Sequence, residues 1–464
     1  MEFDLASALE SARRGDPFPQ FVDTWSAWVR EGERLADSLP AMASERTRIA
    51  TEVRSPAAFC ALLTVMGPRN LDMVLLNPDW TNWERAKALE VASPCWHIRD
   101  AGSIGFHANR FEDGKPMAQS VADGARFMIP TGGSSGAIRF AIHRWETLLE
   151  ATRGLQRLFD WERISSVCML PLYHISGFMQ VIRSVVTGGC VAFGATKEFE
   201  TLHLQLQTSV KEKLFLSIVA TQLERLLRDE RAVEAMRSYR AIFVGGGPTP
   251  STLLRRARKL GLPLAPTYGM TETAAQVATL LPRDFLAGGS GQGRALPHAR
   301  IRIVDNEGRR LQASKKGRIS IESSSLFHGY SGEEELHLER FLAGDLGSLD
   351  NEGRLTVLGR VDRVIVSGGE KIDLVEVEAA LDADGLVGDR FAFGLRDAKW
   401  GERLVVAYVP KAREIGEDSI VEALEDRLAR YKLPKTWLRL DSLPTTEAGK
   451  PRLGVLRKRA QSRI

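Results

Sequence analysis

The sequence predicts an α/β protein: a large N-terminal domain of parallel-sheet αβα subdomains with a small antiparallel β subdomain, then a small α+β C-terminal domain. Three observations carry that expectation. From about residue 120, short apolar runs alternate with helix-like segments, the order that builds parallel sheets through right-handed crossovers. Near residue 300 the texture changes to short alternating runs parted by Asn-Glu-Gly and Lys-Lys-Gly, as in antiparallel hairpins. Beyond Gly359–Arg363 a compact mixture of helix and strand patterns runs to the C-terminus. The expected domains are therefore residues 1–359 and 360–464.

Taken in order, the N-terminal "MEFDLASALESARRGD" is acidic and then amphipathic, without the basic start and apolar stretch of a signal peptide. The longest apolar run, Ala57–Gly67, is too short for the ~20 residues of a membrane span. Lys213–Leu227 reads as a strand and then a helix, with Thr221 as the expected cap. In Arg240–Gly269, Ala241–Val244 read as a buried strand and the next three glycines as a turn. Thr249 and Pro250 read there as N-cap and N1 of a helix, and Leu264–Pro266 as a second strand. The arginines of "LLRRARKLG" are expected on one solvated helix face. Helices are expected near Glu376–Leu381 and Ser419–Tyr431.

Composition narrows the function. The chain of 464 residues is 44% hydrophobic and 26% charged, with a net charge of +4, a soluble globular balance that predicts no nucleic-acid role. Cys60, Cys95, Cys168 and Cys190 are far apart and form no CxxC pair, which argues against zinc or a disulfide framework and for a reducing, cytoplasmic setting.

Several polar, glycine-rich stretches punctuate this scaffold. "PTGGSSGAIR" follows a strand pattern; it is either a flexible linker or a loop whose backbone N–H groups and hydroxyls cradle phosphate. It lacks GxxxxGK[ST] and is not a P-loop. "YGMTETAA" puts Glu272 at a strand's carboxyl end, where it either caps a helix or joins phosphate oxygens around Mg²⁺. "AGDLG" holds Asp345 in what reads as a turn, "PLYHISG" holds His174 after a strand, and "TTEAGKPR" holds Lys450 on a loop.

Together, in this order, these stretches resemble the adenylate-forming superfamily of acyl- and aryl-CoA synthetases, luciferases and peptide-synthetase adenylation domains. "PTGGSSGAIR", "YGMTET", "GDLG", "GRVDRVIVSGGEKIDLVEVE" and "LPTTEAGKPR" match its successive motifs over roughly residues 70 to 455. The resemblance implies that Thr131, Ser134, Ser135, Gly136 and Arg139 bind the triphosphate of ATP. It implies an adenine pocket of Gly245, Gly246, Gly247, Pro248, Tyr268 and Gly269, with Thr271 at the α-phosphate and Glu272 on Mg²⁺. Asp345 and Arg360 would hold the ribose, and Asp362 would be the hinge of a mobile C-terminal domain. Lys450 would serve the adenylation step and His174 would gate the acyl pocket. Gly368, Gly369 and Trp400 would line the channel for CoA, the co-substrate.

Within the superfamily, "LPLYHISGFM", "SIVATQLERLL" and "FVGGGPTP" look like the o-succinylbenzoate–CoA ligases of menaquinone or phylloquinone synthesis. Such an acid needs cationic or hydroxyl donors in its pocket, and Gln180 and Arg183 follow His174. Another aryl- or acyl-CoA ligase, an enzyme adenylating a carrier protein and a non-catalytic nucleotide-binding relative stay open. Homodimerisation is implied only at the family level. Gly132 stands where the family has Ser or Thr, and Ile138-Arg139 where it has Pro-Lys; Arg keeps the charge and changes the geometry.

Overall fold

The computed structural model describes residues 4–21, 23–39, 47–69, 71–80, 82–101, 103–111, 124–132, 138–335, 337–367, 370–383, 385–397, 400–425, 427–428, 430–446 and 449–463. The first sheet holds β1 (Arg48–Glu52), β2 (Asp72–Leu75), β3 (Trp96–Asp100), β4 (Phe106–Arg110), β5 (Arg126–Gly132) and β6 (Ile138–Arg144), in the order β4-β3-β1-β2-β5-β6. Its centre is parallel, while β4 and β6 run antiparallel at the edges. The second sheet holds β7 (Ser166–Cys168), β8 (Val191–Phe193), β9 (Phe215–Ile218), β10 (Ala241–Val244), β11 (Leu264–Met270), β12 (Ala275–Thr279) and β13 (Arg294–Ala295). Its order is β13-β12-β11-β10-β9-β7-β8, parallel from β8 to β11 and antiparallel beyond.

Burial explains the sequence texture. The helix Pro56–Met66 is capped by Ser55, whose hydroxyl accepts from the Ala58 N–H at 3.3 Å, and Ala57 to Met66 are all buried. The longest apolar run is thus a helix submerged in the core. It packs with the helices Leu5–Arg14, Trp25–Ser38 and Ile175–Thr187 around the first sheet. No helix among the described residues is long and apolar enough to cross a membrane.

A third sheet follows: β14 (Ala299–Val304), β15 (Gly317–Ser323), β16 (Phe341–Leu349) and β17 (Leu355–Arg360), in chain order. The fourth contains β18 (Val364–Ser367), β19 (Glu370–Asp373), β20 (Val387–Asp397), β21 (Gly401–Pro410) and β22 (Thr436–Arg439). It carries the helices Leu374–Ala383 and Glu417–Glu425 on its own apolar cluster. Two compact units emerge: residues 1–302, 320–342 and 349–356, and residues 303–319, 343–348 and 357–464.

Several local expectations are corrected. Pro250, extended at ψ 135°, is itself the N-cap of the helix Ser251–Lys259 and its carbonyl takes the Leu254 N–H, so Thr249 lies outside. Thr221 lies inside the helix Ala220–Leu226, where the Gln222 side chain takes the Val219 N–H instead. Arg256 and Arg258 do more than face solvent: they donate to the carbonyls of Leu227, Phe285 and Gly289, each at 2.7 Å. Asp345 sits in strand β16 and not in a turn. The helix expected over Ser419–Tyr431 spans Glu417–Glu425, with a separate 3₁₀ turn at Arg430–Lys432.

Candidate active site

The glycine-rich stretch joins two antiparallel strands. Thr131 pairs with Arg139 and Gly132 with Ile138 in the β5–β6 ladder. Strand β6 follows the loop where a helix N-terminus would otherwise stand, so an anion held there would meet no helix dipole. Ser134, Ser135 and Gly136 lie outside the described residues. Thr131 is buried and its hydroxyl has no partner among the described residues. Arg139 is exposed, with its guanidinium 4.0 Å from the centroid of the Tyr330 ring.

Strand β11 carries Tyr268, Gly269 and Met270 into the 3₁₀ turn Thr271–Thr273. The ladder to β12 slips between Tyr268 and Gly269, which brings Gly269 opposite Gln276. A Cβ at Gly269 would stand 2.0 Å from the Ala275 carbonyl oxygen, so only glycine admits this crossing. Ala274 and Ala275 follow at φ 49° and 83°, a left-handed pair that non-glycine residues adopt at a cost and that clusters at functional sites.

Two groups hold that turn. His143, at the end of β6, is fully buried between the Thr147 hydroxyl (3.0 Å) and the Thr271 carbonyl (2.7 Å). Burial is the main cause that lowers its pKa to about 4, so the ring is neutral at pH 7. Because the carbonyl can only accept, Nε2 carries the proton, a tautomer assigned from the network. Tyr330 donates its hydroxyl to Oε1 of Glu272 at 2.7 Å. Burial, and then the Glu272 charge, raise the phenol well above its usual range. Oε2 of Glu272 makes no hydrogen bond or ion pair among the described residues.

Those residues contain no cluster of three or more His, Cys, Asp or Glu able to hold a metal. A lone carboxylate with an open oxygen suits Mg²⁺, which is held through one or two carboxylates plus substrate phosphates. Beside this turn, Gly245, Gly246, Gly247 and Pro248 leave the carboxyl end of β10, which pairs in parallel with β11. Both groups therefore sit at the strand ends where open α/β sheets bind ligands.

His174 is the N-cap residue of the helix Ile175–Thr187, its ring centroid 4.6 Å from that of Tyr173. Further along, Gln180 and Arg183 are both buried. Arg183 Nη2 donates to Gln276 Oε1 at 3.2 Å, across from Gly269. Arg183 Nε, Gln180 Oε1, Gln276 Nε2 and both ring nitrogens of the buried His298 have no partner among the described residues. Desolvation lowers Arg183 to about 10 and, with Arg183's charge adding to it, His298 to about 4. His298 fits only because residue 154 is glycine: a Cβ there would stand 1.7 Å from Nδ1.

The second unit holds the remaining groups. Asp345 in β16 and Arg360 at the end of β17 approach to 3.7 Å. Asp362 lies in the 3₁₀ turn Val361–Arg363. The Trp400 N–H donates to Asp397 Oδ1 at 3.0 Å, and Lys435 Nζ lies 5.6 Å over its ring. Gly368 and Gly369 lie outside the described residues. Lys450 is exposed in a tight turn whose Thr446 N–H donates to its carbonyl at 2.7 Å.

Sequence reasoning missed His143, Tyr330, Gln276 and His298. His143 alone offered a signal, since it closes the strand that leaves the glycine-rich loop. Comparison with known proteins identifies the family. The AMP-binding enzyme family matches residues 71–331, and the AMP-binding enzyme C-terminal domain matches residues 376–450. The 2-succinylbenzoate–CoA ligase of Bacillus subtilis strain 168 is 33% identical over 93% of this chain and 91% of its own. That of Bacillus velezensis is 33% identical over 76% and 73%. The solved o-succinylbenzoate–CoA synthetase of Bacillus subtilis, in complex with its acyl-adenylate intermediate, superposes with a TM-score of 0.77 at 26% identity, covering 94% and 93% of the chains. The same enzyme with ATP and magnesium gives 0.76 at 25%, covering 95% and 94%. On the matched motifs, the fold and these relatives, the chain belongs to the AMP-binding enzyme family.

Proposed function

We propose that the protein is an AMP-forming acid–CoA ligase that converts 2-succinylbenzoate to 2-succinylbenzoyl-CoA in quinone biosynthesis. The carrying observation is Arg183: a buried cation whose side chain has, among the described residues, a neutral amide as its hydrogen-bond partner, beside the Gly269–Gln276 rung. An uncompensated buried charge is costly, and an anionic ligand relieves the cost. 2-Succinylbenzoate has two carboxylates, one on the ring and one at the end of its side chain, and only one of them is activated. Arg183 stands nine residues beyond His174, a rise of about 13 Å, and helical side chains lean back toward the N-terminus. The other carboxylate would meet Arg183 while the activated one stays near Thr271.

In the first half-reaction a carboxylate oxygen attacks the α-phosphorus of ATP, the bond to the β-phosphate oxygen breaks and pyrophosphate leaves. Thr131 and the loop after it take the β- and γ-phosphates, and Thr271 the α-phosphate. Lys450 faces the charge that develops there. Glu272, with phosphate oxygens, would hold Mg²⁺, which when bound neutralises phosphate charge. Tyr268 and Gly245 to Pro248 flank adenine, and Asp345 with Arg360 the ribose. In the second half-reaction the CoA thiolate, led past Gly368, Gly369 and Trp400, attacks the acyl carbon and AMP departs. Lys450 and the thiol channel serve different steps, so the C-terminal domain, residues 360–464, turns about Asp362 between them. The enzyme acts in the cytoplasm as a homodimer.

The test is thioester formation by the purified protein with Mg·ATP, CoA and 2-succinylbenzoate, with benzoate and a medium-chain fatty acid alongside. Thioester from 2-succinylbenzoate is expected. Thioester from another acid only would discard the substrate, and absence of pyrophosphate release with every acid would discard the reaction.

A further inference from the structure

Glu272 is gripped twice. Its carbonyl accepts from the Phe327 N–H at 3.0 Å and its carboxylate from the Tyr330 hydroxyl at 2.7 Å. Residues 328–331 are in turn laced to β6. The Ile142 N–H donates to the Gly329 carbonyl at 3.0 Å, the His328 N–H to that of Ile142 at 2.8 Å, and the Ser331 N–H to that of Phe140 at 2.8 Å. On the same strand Arg139 lies over the Tyr330 ring and, across the hairpin, opposite Thr131. A chain of contacts therefore runs from the base of the phosphate loop through Arg139 and Tyr330 to one oxygen of Glu272.

We infer that Tyr330 is a positioning residue for Glu272, turning its free oxygen toward the nucleotide-bound metal, and that Arg139 holds the Tyr330 ring in register with the phosphate loop. This rests on the ATP-dependent reading above. A glutamate's terminal torsion is broad when nothing fixes it, and a phenol donating to one oxygen fixes it while leaving the other for a cation. Outer partners of metal-binding carboxylates act this way, and their loss typically weakens metal binding 10- to 100-fold.

The experiment uses the full-length protein with α,β-methylene-ATP, which cannot donate its adenylyl group, and Mn²⁺ followed by electron paramagnetic resonance. Tyr330→Phe is expected to weaken Mn²⁺ binding in the ternary complex about 10-fold, with metal-free affinity for the analogue held within about twofold. Glu272→Gln should weaken Mn²⁺ at least as far, and the double variant no further than Glu272→Gln alone. Arg139→Met should give about a threefold loss that Arg139→Lys restores, as expected of a cation over an aromatic face. Unchanged Mn²⁺ affinity in Tyr330→Phe overturns the inference, as does an equal loss of metal-free nucleotide binding or additivity with Glu272→Gln. If Glu272→Gln itself leaves Mn²⁺ binding intact, the assignment of Glu272 to the metal fails first and carries this inference with it.

Discussion

Two buried arginines in the first unit make an instructive pair. Arg126 is 3% exposed and Arg183 is 4% exposed. Arg126 has carboxylates built around it: Glu335 at 2.6 Å and Asp72 at 3.8 Å, with Glu335 also bound by Arg144 at 2.8 Å. Arg183 has the Gln276 amide, and its own Nε, Gln276 Nε2 and both His298 ring nitrogens have no partner among the described residues. Among the described residues one guanidinium has carboxylate partners and the other an amide, although the Nε of each has no hydrogen-bond partner. The difference is what would separate a buried ion that holds structure from one kept for a ligand, as proposed for Arg183.

The sharpest break of that comparison is Arg126→Met. It removes a buried cation from beside Glu335 and Asp72 and should cost about 3–5 kcal/mol in urea unfolding, whereas Arg183→Met should leave stability unchanged or raise it. If Arg183→Met destabilises as much as Arg126→Met, the two sites are of one kind. Activity then runs the other way. Arg183→Met should lower kcat/KM for 2-succinylbenzoate roughly 100-fold, yet spare a monocarboxylate analogue that keeps only the carboxylate being activated. Equal loss on both acids would remove Arg183 from recognition.

Acid should probe the neighbours of both regions. Burial holds His143 and His298 at about 4, below the ordinary 6.5. Between those values the unfolded chain binds the protons that the folded chain refuses. Stability is therefore complete above pH 6.5 and falls as the pH drops toward 4, by about 2 kcal/mol per histidine between pH 7 and 5. A His143→Gln chain should show about half that dependence; the full wild-type slope would mean that other groups drive it. The smallest effect concerns Gly154. Alanine there gains about 1 kcal/mol of helix propensity and meets His298, a crowding that costs about 1–3 kcal/mol. Gly154→Ala should lower the melting temperature, and His298→Ala in the same chain should reverse the sign.

Much of this was legible in the chain. Ala241–Val244 and the glycines after it read directly as a strand and its carboxyl-end turn, because both signals are local. Family motifs marked Thr271, Glu272 and Asp345 for the same reason. Tyr330 was not legible: it reaches Glu272 across 58 residues, from an irregular segment with no periodicity. The turn expected at Asp345 failed because two flanking glycines are compatible with a strand once neighbouring strands supply its hydrogen bonds. Arg183 was noticed only as a residue that follows His174; that no counter-charge pairs with it among the described residues is a property of packing and invisible in sequence.

That missing counter-charge has a consequence for the protein's lifetime. A chain that carries an unneutralised charge in its interior is less stable empty than loaded, and a ligand binding only the folded form adds RT ln(1 + [L]/Kd) to its stability. Transient opening, and the proteolysis that follows it, should then slow as the acid accumulates and quicken when it runs out. Limited digestion with and without 2-succinylbenzoate would register this, and Arg183→Met would abolish the difference. The enzyme's abundance would follow the supply of the compound it consumes, with no regulatory protein involved.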